Sequence, residues 1–131
     1  MISAIEAEQM FFISLYDELK AHIRGDVYPS GCRPYDSKSE DAVISISTLT
    51  ATQVQEGILV INIFVPNLDN GSKRLVPDRK RLHELSIYAN GIIDFLRQSS
   101  MKFEHYSAPQ IIENENGTEY FVNIMIKFNT I

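Results

Sequence analysis

The chain has no tryptophan, one cysteine (Cys32), and only six glycines and five prolines in 131 residues. One cysteine excludes an internal disulfide, so the fold must rest on its hydrophobic core. A hydrophobic content of 44% with 22% charge is that of a globular chain and excludes a disordered one. Every apolar run is far shorter than the ~20 residues of a membrane-spanning helix, so no membrane segment is expected. The start, Met1-Ile2-Ser3-Ala4-Ile5-Glu6, lacks a basic stretch and does not read as a signal peptide. Cytoplasmic synthesis is therefore the default expectation.

Recognisable chemistry is also scarce. His22, His83 and His105 have no ligand spacing to one another, to Cys32 or to a carboxylate, and His83-Glu84 lacks the second histidine of a zinc helix. Cys32 adjoins Arg33, which could lower a thiol pKa, but the sequence marks no base to go with it. Asp36, Glu40 and Asp41 form a small acidic group without the alternation of a calcium loop, and read as a solvated loop leading into a strand. No phosphate-binding glycine loop is present. Asn70-Gly71-Ser72 and Asn116-Gly117-Thr118 match the glycosylation triplet but read as turns. No catalytic residue, metal, cofactor or small-molecule substrate is expected, and the chain does not read as an enzyme.

What is present is hydrophobic pattern. Ser3 to Glu6 forms a capping box, followed by Ile5, Phe12, Leu15, Tyr16, Leu19 and Ile23 at helical steps, which predicts a helix over 4–24 ended by Gly25. A second helix is predicted over 78–98, from Leu82, Leu85, Ala89, Ile92 and Leu96 at 3-4-3-4 spacing with Ile93 beside them. Gly91 within it suggests close packing on a sheet. Strands are predicted over 41–49, 57–65, 101–106, 110–113 and 119–128, with Val27-Tyr28 a further short candidate. The whole reads as one α+β domain, residues 1–131. Its sheet is mixed or mainly antiparallel, of about four to five strands, with two helices on one face.

Two strands carry apolar residues on both faces. Leu59, Ile61, Ile63 and Val65 share one face, and Ile58, Val60 and Phe64 lie opposite with Asn62. Tyr120, Val122, Ile124, Ile126 and Phe128 share one face, and Phe121 and Met125 lie opposite with Asn123 and Lys127. Strands wetted on one side alternate more cleanly. Two helices cover one side of roughly four strands, so the second side is expected to meet a partner such as another copy. Asn62 and Asn123 either pair with each other, reach a neighbouring subunit, or stand as ordinary polar residues on a half-exposed face.

Charge is uneven. The net charge is -5, but Lys73, Arg74, Arg79, Lys80 and Arg81 with Asp78 make residues 73–81 +4, on a remainder of -9. Such asymmetry can steer association. The plainer reading is a solvated loop and helix start. The window lacks interleaved aromatics and the remainder is acidic, so nucleic acid is disfavoured.

The order of a capped helix, Tyr28-Pro29 and a loop, Glu40-Asp41-Ala42-Val43-Ile44-Ser45-Ile46, the strand Gly57 to Pro66, a long helix and a closing hairpin through Phe128 resembles tailed-phage and prophage proteins of the tail-terminator or tail-completion (head-tail joining) type. The likeness lies in element order and texture. It implies a non-enzymatic virion protein, made in the bacterial cytoplasm, that forms a commonly hexameric ring between tail tube and head connector. Its partners would be itself and those virion proteins. The loop 67–76 with Lys73 and Arg74, and the helix start with Arg79, Lys80 and Arg81, would then be contact elements. The alternative is a small binding or accessory module of a mobile element that holds a protein or ligand on its sheet face.

Overall fold

A computed structural model describes residues 1–71 and 74–130. Helix α1 (Ala4–Lys20) begins as the capping box requires: the Ser3 hydroxyl oxygen accepts from the Glu6 N–H at 3.2 Å. Strands β1 (Val27–Pro29), β2 (Ala42–Leu49) and β3 (Glu56–Pro66) follow, then α2 (Arg79–Leu96), β4 (Lys102–His105), β5 (Gln110–Glu113) and β6 (Glu119–Asn129). The α+β class is as the sequence predicts and both helices form, but α1 ends at Lys20 with Ala21 as its C-cap, short of the expected end at 24 before Gly25. The sheet has six strands, one more than the upper expectation, because Val27–Pro29 pairs in parallel with Ala42–Ile44. All other pairings are antiparallel, in the order β1-β2-β3-β6-β4, with β5 also on β6.

One face of the sheet is the core. Ile44, Leu59, Ile61, Ile63, Val122, Ile124, Ile126 and Phe128 are buried beneath the two helices. Helix α1 lies chiefly on β1 and β2, and α2 on β3, β6 and β4. The buried stripe of α2 is the expected one, Leu82 to Leu96 with Ile93. That of α1 is shifted: Ala7, Phe11, Leu15 and Leu19 face inward, Phe12 and Tyr16 sit on its margin, and Ile5 is exposed. Phe11 sets this rotation by packing edge-on against Phe128 and Phe103, with ring centres 4.9 and 6.1 Å away. The register of β2 shifts between Ile46 and Thr48, a bulge that turns Leu49 back to the core side opposite Gly57. Gly57 must be glycine, because a Cβ there would overlap the Phe128 ring and crowd the Thr48 carbonyl.

Gly91 does not do what its position suggested. It is on the exposed side of α2, and a Cβ there would meet open space.

Candidate assembly surface

The second face of the sheet is where the two-faced strands show. Val43 and Ser45 on β2, Ile58, Val60, Asn62 and Phe64 on β3, and Phe121, Asn123, Met125 and Lys127 on β6 lie on it, all half-buried. Among the described residues no helix covers it. Its centre is the cross-strand pair Asn62 and Asn123, in which the Asn123 amide donates to Asn62 Oδ1 at 2.7 Å. That one bond leaves Asn62 Nδ2 and Asn123 Oδ1 open to solvent or to a partner, with Ile58, Val60 and Met125 on one side of the pair and Val43, Phe64 and Phe121 beside it and beyond. Lys127 at one margin pairs with Glu104 of β4 at 3.5 Å.

One end of this face is closed by the chain itself. The loop between β1 and β2 lays Arg33 over the Phe64 ring, 4.1 Å from its centre. Two guanidinium nitrogens donate to the two carboxylate oxygens of Glu119, at 2.9 and 3.0 Å, and Nε donates to Asp41 at 3.1 Å. Nη2 also donates to the Ser39 carbonyl. Asp41 receives the Ser37 hydroxyl and the Asp26 N–H as well. Burial pushes the Asp41 carboxyl up, but Ser37, the Asp26 N–H and Arg33 together outweigh it and hold it below the usual carboxylate range.

A second clamp ties α2 to the rest. Arg81 donates to both oxygens of Glu40, at 2.6 and 2.9 Å, and to the His22 carbonyl at 2.8 Å. Glu40 and Asp41 are therefore buried and ion-paired, which corrects the solvated-loop reading; Asp36 alone of that group is exposed. The reason is topological. Glu40 and Asp41 enter β2 on opposite faces, and each finds an arginine brought from elsewhere in the chain.

The basic window is accordingly divided. Arg81 is turned inward as a structural cation, while Arg79 and Lys80 are exposed at the start of α2. Lys73 lies outside the described residues. Arg74 is exposed, close enough to Tyr120 to favour the phenolate form of its hydroxyl, though the hydrogen bond to Glu113 dominates and raises that pKa. The loop before α2 is tied at its base: Leu68 and Val76 exchange backbone hydrogen bonds, and the Asn67 N–H donates to the Thr118 carbonyl.

Edge strand β5 stands beside this basic start. Ile111 and Ile112 are 49% and 37% exposed, the first toward α2 and the second toward the open face. Between β5 and α2 is a cavity of about 340 Å³ lined by Pro77, Arg79, Leu82, His83, Ile111 and Tyr120. Other hollows are a largely apolar groove of about 300 Å³ between the end of α2 and Met10-Phe11 of α1, and a cleft beside β4. Cys32 is exposed, and His22 is stacked on Tyr88 with its Nδ1 at 2.9 Å from the Glu18 carbonyl oxygen. Among the described residues no three His, Cys, Asp or Glu side chains gather as a metal site requires.

Fold and surface together define an α+β domain whose sheet, among the described residues, carries helices on one face. No protein-family model matches the chain, and no curated protein does. Among the described residues no helix is long and apolar enough to cross a membrane.

Proposed function

We propose that this protein is a non-enzymatic structural part of a phage or prophage particle, whose copies join through the open sheet face into a ring that completes the tail and links it to the head. The observation that carries the assembly part is the half-buried apolar strip of Ile58, Val60 and Met125, with helices on the opposite side only. Sheet faces open to water more commonly carry polar residues at such positions. The element order, which resembles that of tail-terminator and tail-completion proteins, supplies the virion context and a ring of six. Synthesis in the bacterial cytoplasm and contact with tail tube or head connector follow from that resemblance. A ring needs two different patches meeting head to tail, and the exposed Arg79 and Lys80 lie on the helix side, away from the apolar strip.

The test is the mass of the purified protein across a wide concentration range, with negative-stain images of the concentrated sample. A defined oligomer appearing as a closed ring is the expected result. A protein that stays monomeric at every concentration, with or without tail-tube protein, contradicts the reading. The alternative, an accessory module holding another protein on the same face, would then take its place.

A further inference from the structure

We propose that Tyr35 of one copy inserts into the cavity between α2 and β5 of the next copy, with Asp36 beside it meeting Arg79 and Lys80. This rests on the assembly reading and names the two patches that meet.

Tyr35 is the most exposed large apolar side chain among the described residues, at 105% of its reference area. It makes no hydrogen bond among them, and neither does Asp36. An aromatic side chain held out in water is the residue type that dominates buried contacts between proteins. The backbone turn that carries it is held in place. Pro34 to Ser37 is a turn closed by the Ser37 N–H to the Pro34 carbonyl at 3.1 Å. On one side of the turn Arg33 is locked to Asp41 and Glu119, and on the other the Ser37 hydroxyl is bonded to Asp41 at 2.5 Å. With the turn already ordered in the free protein, association has to fix only the rotamer of the Tyr35 side chain.

The receiving cavity has apolar walls from Pro77, Leu82, Ile111 and Tyr120 with Arg79, His83 and Ser86 as polar lining, and its volume of about 340 Å³ is at the small end of ligand pockets. Arg79 lines it, and Lys80 is exposed next to it. Neither makes an ion pair among the described residues, so Asp36 would supply their counter-charge. The copy cannot fill its own cavity. Arg33, Asp41, Glu119 and Phe64 place the turn on the open face, whereas Ile111, opposite Val122, opens on the helix face. Strands β2 and β5 are three spacings apart, about 14 Å. Knob and hole are therefore different patches on opposite faces, the arrangement that propagates head to tail and closes as a ring.

Sedimentation of Tyr35→Ser, Ile111→Asp and their equimolar mixture tests this. Both sites are exposed, and an unchanged melting temperature confirms that each variant folds. Wild type is expected to exceed a dimer, and each variant alone to fall to monomer. The mixture keeps one live knob and one live hole, so it should form a one-to-one dimer and nothing larger. If Ile111→Asp unfolds, Asp36→Arg and Arg79→Asp replace it: each alone should weaken association, and the double variant should restore it. Variants that keep the wild-type mass, or a mixture that stays monomeric, overturn the contact. If Val60→Glu nevertheless breaks that oligomer, the assembly reading survives without it. A monomeric wild type overturns both.

Discussion

Arg33 determines most of what happens at the closed end of the open face. Asp41 and Glu119 are 1% and 3% exposed, and each would be an unpaired buried charge without this one guanidinium. Arg33→Met should therefore destabilise the fold by about 3–5 kcal/mol, read as a fall in urea midpoint. The same residue controls acid stability. The folded-state pKa of Asp41 lies below its ordinary 3.8, so this carboxylate's contribution is complete above that value and is lost as pH falls through the lowered one. Removing Arg33 takes away one of the groups that hold the pKa down. Raising the folded value toward 3.8 narrows the window over which Asp41 loses its contribution, so the stability gap between wild type and Arg33→Met should be widest near neutral pH and shrink as pH falls, measured as urea midpoints between pH 3 and 7. None of this was legible in Gly31-Cys32-Arg33, where the arginine stands beside a cysteine it does not serve. A signal existed: two acids at the head of an apolar strand, and another at the head of the last strand, must be neutralised if those strands are central.

The helices and strands were legible because each announces its own period. The stripe of α2 and the alternation in β3 and β6 predicted both the elements and the faces that are buried. What local pattern could not carry is contact between distant segments. The parallel pairing of β1 with β2 joins residues fifteen apart through irregular chain. The bulge in β2 exists because Leu49 must face the core opposite Gly57, and no turn residue marks it. The rotation of α1 toward Phe11 depends on rings from β4 and β6. Gly91 was misread for the same reason, since a glycine in a helix looks alike whether it faces a sheet or water. Its exposure yields a prediction. Gly91→Ala should raise stability by up to about 1 kcal/mol, seen as a higher melting temperature, because the methyl meets nothing and helix propensity improves. A fall in stability would mean that this part of α2 is covered in solution.

Across the whole molecule, the sheet is lopsided by construction. Two helices of 17 and 18 residues supply one apolar layer, and the chain between β1 and β2 reaches over only one end of the other side. What remains open is neither the clean polar alternation of a solvated sheet nor the continuous grease of a core. It is apolar at Ile58, Val60 and Met125 beside an amide pair joined by one hydrogen bond. Such a surface gains by being covered, which is what the proposed assembly would do. The charge map fits the same use: Arg81 is spent inside the fold, and the cations left at the start of α2 are on the helix side, away from the apolar strip. The account stands or falls on whether copies meet through that strip. Sedimentation equilibrium of Val60→Glu beside wild type asks this most directly. The side chain is half-buried on the open face, so the fold and melting temperature should hold while the oligomer falls apart to monomer. An oligomer of unchanged mass and affinity in Val60→Glu would contradict the account.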